Sequence, residues 1–158
     1  MSGTWKWYGL GLQKMLTGSI DFDTDTIFMM LAQSTYTPDQ DTHDFRNDVT
    51  NEASGAGYST GGKTVGTVTA SYDAATNEVR FVWPDVAWTT ASITARTAVI
   101  YKSRGGASSA DELIAYCTES ADVTSTANTF TVDIPAASAL SVQYAMSSSA
   151  LDAPPRDL

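Results

Sequence analysis

The sequence is poor in several residue types that common functions require. Its 158 residues include one cysteine, one histidine and 9 Lys and Arg against 18 Asp and Glu, for a formal net charge of −9. An intrachain disulfide and a metal site with two histidine ligands are therefore excluded. The acidic balance also opposes unaided binding to nucleic acid, whose phosphates are held by clustered Lys and Arg. Cys117 lies in the apolar stretch 113–117, which predicts a buried thiol.

Long apolar runs are missing as well. No segment reaches the roughly 18 apolar residues of a transmembrane helix, and residues 1–8 lack the basic and apolar regions of a signal peptide. We expect synthesis in the cytoplasm and no membrane partner. The chain is nevertheless 42% hydrophobic, which is enough for one domain with its own core.

Short β-strands dominate the pattern. The run 27–32 is continuously apolar, as in a central strand buried on both sides, and 64–72 and 78–83 flank a five-residue loop, which predicts a hairpin. Further strands are predicted over 85–88, 95–102, 113–118, 129–134 and 140–144. The fold class is therefore mainly β, as a single sandwich or barrel of about seven or eight antiparallel strands.

The ends of the chain differ from its middle. Apolar positions at helical spacing predict a short N-terminal helix or arm over 1–18, with the helix spanning 5–16, while 19–146 forms the β domain. Residues 147–158 have the composition of a linker and predict an extended C-terminal tail. Within the β domain, the polar stretch 33–62 predicts a long excursion across the surface, with one helical turn near residues 41–49.

Gly57–Thr64 fits the P-loop pattern G-x-x-x-x-G-K-[ST] at each fixed position. A working P-loop follows a buried parallel strand and opens a helix, so that backbone N–H groups meet the phosphates. Here polar residues precede the motif, and Val65–Thr69 favours a strand over a helix. We therefore interpret the motif as a glycine-rich loop that enters a strand.

Two groups of acidic residues raise other possibilities. Asp21, Asp23 and Asp25 alternate, so an extended backbone would place all three carboxylates on one side. A calcium site is the functional alternative, but the spacing lacks the glycine and glutamate of an EF-hand loop, which favours a solvated approach to the next strand.

The second acidic group, consisting of Asp39, Asp41, Asp44 and Asp48, surrounds the lone His43. A hydrolytic triad would need a serine at a recognisable spacing, and no G-x-S-x-G elbow occurs. The sequence therefore predicts no enzyme, no catalytic residue, no metal and no cofactor, although a small glycosidase or protease is a third alternative.

Aromatic residues divide into two groups. Trp83, Trp88, Tyr101, Tyr116 and Tyr144 lie in predicted strands, where core packing is favoured over stacking on carbohydrate. The other group is Trp5, Trp7 and Tyr8, which precede the predicted strands. Large aromatics on an arm must dock somewhere, either on the protein's own core or on a neighbouring subunit, which makes these three the interface candidates.

Several segments in the same order resemble a family of small structural proteins of tailed bacteriophage virions, of the head decoration or minor tail type. They are Lys14–Gly18, Ile20–Ile27, Thr42–Val49, Gly61–Val65, Ala98–Lys102 and Leu113–Tyr116. The resemblance covers roughly residues 10–120, and no residue-level function transfers with it.

The resemblance implies a protein made in the host cytoplasm and located in the virion, at the capsid surface. The expected function is that of a capsid decoration, or cement, protein that binds the outer surface of the major capsid protein lattice and stabilises the head. The alternative is a minor tail or fibre component, including one that binds the host surface. Symmetric capsid sites favour self-association as a trimer.

Overall fold

A computed structural model describes residues 1–135 and 140–143. These residues form one short α-helix, α1 (Gly9–Leu16), two 3₁₀ turns, Arg46–Asp48 and Ser108–Ala110, and ten strands. The strands are β1 (Trp5–Trp7), β2 (Ile27–Ala32), β3 (Lys63–Thr64), β4 (Thr69–Asp73), β5 (Glu78–Val82), β6 (Val86–Ala91), β7 (Thr94–Lys102), β8 (Leu113–Thr124), β9 (Asn128–Val132) and β10 (Leu140–Gln143).

The strands form three antiparallel sheets. The largest has five strands in the order β1-β8-β7-β2-β3, the second has three in the order β10-β5-β4, and β6 pairs with β9. The mainly β fold class is thus confirmed, while a single sandwich or barrel stays a prediction. The predicted tail, 147–158, lies outside the described residues.

Both faces of the five-stranded sheet are covered. Met29 and Leu31 of β2 pack into the larger of two hydrophobic clusters, which also contains the buried residues of the two smaller sheets. Met30 and Ala32 point the other way, into a second cluster. Side chains that alternate between two buried faces require apolar residues at successive positions. The continuous run 27–32 therefore forms a central strand, as predicted.

The excursion 33–62 covers the second face and contributes the buried side chains of Tyr36 and Val49 to that cluster. Ion pairs hold it in place: Arg46 pairs with Asp111 at 2.8 Å, and Lys14 pairs with Asp44. The predicted helical turn is confirmed at Arg46–Asp48. This long polar stretch is thus a structural cover for the sheet.

The N-terminal segment differs from its prediction. The helix expected from residue 5 begins at Gly9, because Trp5–Trp7 forms β1 and pairs with Ala115–Cys117 of β8. Gly11 explains how α1 lies so close to β8, since a Cβ there would come within 2.3 Å of the Leu113 carbonyl oxygen. The segment predicted as an arm is thus an edge strand and a helix packed on the body.

The single strand predicted over 64–72 is also wrong. Lys63–Thr64 pairs with β2 in the large sheet, whereas Thr69–Asp73 pairs with β5 in the three-stranded sheet. Residues 65–68 carry the chain between the two sheets and bury Val65 and Val68. The predicted hairpin is confirmed, but its loop is 74–77, shorter than the five residues expected, because Asp73 ends β4 and pairs with Glu78.

Candidate binding surface

The three interface candidates lie inside the protein. Trp5 and Trp7 are 6% and 9% exposed and Tyr8 is fully buried. Trp5 makes an edge-to-face contact with Trp83, with ring centroids 5.1 Å apart, and Trp7 makes a similar contact with Phe81 at 5.5 Å. The structure thus places these aromatics on the chain's own core, the first of the two alternatives, and leaves little of them for a neighbouring subunit.

Tyr8 begins a hydrogen-bonded chain that ends at the only histidine. The Tyr8 and Tyr36 hydroxyls are 2.7 Å apart, and the Tyr36 hydroxyl is 3.0 Å from Nδ1 of His43. Because the N–H of Asp39 also donates to Nδ1, that nitrogen is the acceptor, so Tyr36 donates to it and Tyr8 donates to Tyr36. Burial raises the pKa of Tyr36 to about 12 and that of Tyr8 still further.

The carboxylates around His43 hold the backbone. Asp48 accepts hydrogen bonds from the N–H groups of Asp44 and Phe45, and Asp39 accepts them from the N–H groups of Asp41 and Thr42. Burial opposes ionisation of Asp48, but these backbone donors outweigh it and lower its pKa. The group around His43 therefore shapes a loop. The described hydrogen bonds of the imidazole are with Tyr36 and Asp39, and its ring contacts are with Tyr36 and Tyr8.

The extended segment predicted for the alternating aspartates is not observed. The N–H of Asp25 donates to the carbonyl of Asp21 at 2.8 Å, which closes a turn. The Asp21 carboxylate accepts the N–H of Asp23, and Asp25 pairs with Lys102 at 2.8 Å. In the part of the chain that the structure describes, no group of three His, Cys, Asp or Glu residues is placed to hold a metal ion.

The P-loop-like motif enters β3, as interpreted from the sequence. Gly62 has a positive φ of 76°, and a Cβ there would lie 1.8 Å from the Met29 carbonyl oxygen. The glycine is thus required by the close approach of the loop to β2. Glu52 fixes the same loop, because its carboxylate accepts hydrogen bonds from the Tyr58 hydroxyl and the Gly61 N–H.

The predicted core aromatics are buried. Trp83, Trp88, Tyr101 and Tyr116 are all members of the core, which confirms packing as their role. Tyr144 lies outside the described residues. The buried thiol of Cys117 is also confirmed, and burial raises its pKa to about 11.

Two large apolar side chains stand out at the surface instead. Leu16, at the end of α1, is 70% exposed, and Tyr72 of β4 is 56% exposed. Between α1 and the β4–β5 hairpin lies a depression of about 350 Å³, with Met15, Ile20, Phe22, Ala70 and Phe81 among its lining residues. Alternation along β4 puts Tyr72 on the same face as Ala70. We call this depression the apolar groove; Leu16 follows its lining residue Met15 in α1, and Tyr72 lies two positions from its lining residue Ala70 in β4.

Asp21 and Asp23 also line the apolar groove. Backbone N–H groups, led by that of Asp23, lower the pKa of Asp21, so it is ionised at neutral pH. No ion pair of the Asp23 carboxylate occurs among the described residues. The groove therefore combines an apolar floor with a negatively charged rim.

Most basic side chains already have acidic partners. Ion pairs engage the basic residues Lys14, Arg46, Arg80, Arg96, Lys102 and Arg104. Because Asp and Glu are twice as numerous as Lys and Arg, the negative charge exceeds what the basic side chains can neutralise. The surface as a whole favours neutral or basic partners.

Sequence reasoning missed this surface because the two elements beside it are distant in the chain. Leu16 reads as one more apolar position of a helix, and Tyr72 as one more aromatic of a strand. The composition of Thr69–Asp73 could have indicated an exposed strand, because small residues there accompany a single aromatic. Such a segment has too few apolar residues to be buried.

Comparison of the chain with models of known protein families, with curated protein sequences and with solved structures found no match in any of the three. None of the described helices is long and apolar enough to cross a membrane.

Proposed function

We propose that the protein is a non-enzymatic virion component, a capsid decoration protein that binds the outer surface of the major capsid protein lattice and stabilises the head. The observation that carries the proposal is the apolar groove, whose lining includes Met15, Ile20 and Phe22, together with the exposure of Leu16 and Tyr72 on the two elements that flank it, α1 and β4. Clustered apolar surface on a small protein is typical of a contact with another macromolecule. The resemblance of the sequence to small virion proteins supports a virion as that partner.

The charge of the protein fits this role. A protein present in many copies on a capsid must stay soluble before assembly and away from the DNA, and a net charge of −9 favours both. Binding would rest on the groove, since the three N-terminal aromatics are occupied by the core. A trimer remains the expected oligomeric state on a symmetric capsid site.

The first test is the copy number in purified phage particles whose genome carries this coding sequence, measured by mass spectrometry against the major capsid protein. A simple ratio to the capsid subunits is expected for decoration. A few copies per particle would instead favour a minor tail or fibre component, and absence from the particle would contradict both.

A second test uses purified capsids without the protein. Leu16→Glu places a charge on the exposed residue that follows Met15 of the groove lining and should abolish binding to the capsids. Thr60→Glu adds the same charge at an exposed position on another loop and should leave binding unchanged. Equal binding of both variants would show that the groove is not the capsid contact.

A further inference from the structure

The histidine of the excursion 33–62 connects that excursion to the N-terminal segment. His43 is half-buried and stacks on Tyr36, with ring centroids 5.7 Å apart and an interplanar angle of 19°. Tyr36 in turn contacts Tyr8, the residue before α1, through hydroxyls that are 2.7 Å apart. The imidazole therefore lies at the end of a contact between two segments that are distant in the sequence.

Two further contacts join the same segments on either side of the imidazole. The N–H of Gly9, the first residue of α1, donates to the carbonyl of Gln40 at 2.9 Å. Lys14 of the same helix pairs with Asp44, the residue after His43. The position of His43 is thus tied to the way the excursion lies on α1.

Nδ1 of His43 accepts hydrogen bonds from two donors. The Tyr36 hydroxyl is 3.0 Å from this nitrogen, and the N–H of Asp39 is 3.3 Å from it. An imidazolium carries a proton on both ring nitrogens, so protonation would leave neither donor with an acceptor. The Tyr36 hydroxyl can turn away, but the N–H of Asp39 lies in a rigid peptide plane and would face another N–H. Neutral His43 therefore fits this position and protonated His43 does not.

Protonated His43 has carboxylate acceptors close by. A hydrogen bond from Thr42 contributes most to lowering the pKa of Asp39, and the positive charge of a protonated His43 lowers it further. Burial opposes ionisation of Asp48, but backbone N–H donors and the charge of a protonated His43 lower its pKa. Both carboxylates therefore stay ionised below neutral pH and attract an imidazolium.

The titratable and charged groups around His43 come from three parts of the fold. Those of the excursion are Tyr36, Asp39, Asp41, Asp44 and Asp48, those of the N-terminal segment are Tyr8 and Lys14, and that of β8 is Tyr116. Burial raises the pKa of the three tyrosines, so they keep their protons at neutral and mildly acidic pH. Histidine is the side chain whose charge ordinarily changes in that range.

From this geometry we propose that His43 is an acid-operated latch between the excursion and the N-terminal segment. At neutral pH its Nδ1 accepts from Tyr36 and Asp39 and keeps the latch closed. When a proton from solvent adds to Nδ1, the imidazolium leaves Tyr36 and turns to the Asp39 carboxylate, which loosens the hydrogen bond between Gly9 and Gln40. The latch lies within the chain, so it goes beyond the proposed function and does not depend on what the protein binds.

The test is a titration of the full chain from pH 7.5 to 5.5, followed by NMR. The carbon-bound ring protons of His43 report its protonation directly. We expect the amide proton of Asp39 to shift with the same midpoint as those ring protons, and the nuclear Overhauser effects between the rings of His43 and Tyr36 to disappear. Exchange of the Gly9 amide, corrected for the effect of pH on intrinsic exchange, should be at least threefold faster at pH 5.5.

Three variants sharpen the test. In His43→Asn the amide oxygen can take the place of Nδ1 and gains no proton in this range, so the Asp39 amide should stop responding to pH. Asp41→Asn changes an exposed position on the same turn and should leave that response unchanged. Tyr36→Phe keeps the ring but removes the hydroxyl, so the signals of Tyr8 should lose their response while the Asp39 amide keeps its own.

Three results would overturn the inference. One is a midpoint of the Asp39 amide that differs from that of the His43 ring. Another is a response of Asp39 that persists in His43→Asn, which would assign it to a carboxylate. The third is an unchanged ring contact and an unchanged exchange of the Gly9 amide at the two pH values, which would mean that the imidazolium is held in place. The first and third need the wild-type protein alone, so they decide the matter even if a variant fails to fold.

Discussion

The centre of the large sheet and the β4–β5 hairpin differ in almost every physical respect. In β7, Ala98–Tyr101 is buried on both faces of its sheet, with strands on either side. In β4, Thr69–Tyr72 is exposed at a sheet edge. Both segments are regular antiparallel strands, so backbone geometry alone does not distinguish them. The difference is the amount of apolar surface that each removes from water.

This contrast separates stability from recognition. Residues such as Ile100 contribute to folding because their side chains are packed on all sides, and they are inaccessible to a partner. The hairpin removes less side-chain surface from water, because Thr69–Tyr72 is exposed, and we expect it to contribute less to folding. The following experiments test that division, beginning with the largest effect.

Alkaline pH should destabilise the protein through its buried and partly buried tyrosines. Burial raises the pKa of Tyr36 and Tyr101 to about 12 and that of Tyr8 and Tyr58 further. Above about pH 10 the unfolded chain loses these protons and the folded protein keeps them, so stability falls with rising pH. The loss approaches about 1.4 kcal/mol per pH unit for each tyrosine well above pH 10. Between pH 10 and 11, where the unfolded tyrosines pass from about half to about nine-tenths ionised, it is about 1 kcal/mol each, or about 4 kcal/mol for all four.

Urea unfolding at pH 9, 10 and 11 measures this loss. In Tyr36→Phe the slope of stability against pH should be smaller by the contribution of one tyrosine, whatever the variant's stability at pH 7. An unchanged slope would mean that Tyr36 titrates alike in the folded and unfolded chains.

Truncating a side chain should cost more stability in the centre of the large sheet than in the β4–β5 hairpin. Ile100→Ala in β7 leaves a cavity where packing is complete and should cost about 3–4 kcal/mol in free energy of unfolding. Val79→Ala in β5, where the side chain is half-buried, should cost about 1 kcal/mol. Chemical denaturation of both variants measures the two costs, and equal values would contradict the division.

Buried ion pairs should also contribute more to the free energy of unfolding than exposed ones. The Asp111 side chain is 2% exposed and receives hydrogen bonds from the Arg46 side chain and the Arg104 N–H. Asp111→Asn should therefore cost about 2 kcal/mol. Asp122, whose side chain is 41% exposed and paired with Arg96, is the matched control. Asp122→Asn should change the free energy of unfolding by less than about 0.5 kcal/mol.

Apart from the Asp122→Asn control, the smallest effect is expected in the hairpin itself. Arg80 pairs with Asp73 at 2.8 Å and with Glu78 at 3.1 Å, all partly exposed. Arg80→Ala should cost about 0.5–1 kcal/mol at low salt and less at high salt, because ions screen exposed pairs. A cost above that of Asp111→Asn would show that the hairpin is a main determinant of stability.

Much of the strand pattern could be predicted from local sequence. The run 27–32 and the hairpin around residues 74–77 appear where they were expected, because alternation, β-branching and turn residues act over a few neighbouring positions. Cys117 was expected to be buried for the same reason, since its neighbours are apolar. The short edge strands β1 and β3 were missed, because their identity depends on partners distant in the chain.

The candidate site was the least predictable part. Trp5, Trp7 and Tyr8 carry the strongest apolar signal near the N-terminus, yet they pack on Trp83, Phe81 and Tyr36. Leu16 and Tyr72 carry a weak signal and are exposed. A residue's hydrophobicity predicts that it will be buried, but only its neighbours in space determine whether the protein itself covers it.

The amino-acid sequence by itself determined the mainly β character, the acidic charge and the positions of most strands, since these depend on composition and short-range periodicity. Only the tertiary structure decided which strands became edges, which aromatics the core enclosed and where the apolar groove formed. Those features arise from pairings such as Trp5 with Cys117 and from the packing of α1 beside the β4–β5 hairpin. Contacts between residues so far apart in the chain leave no local pattern in it.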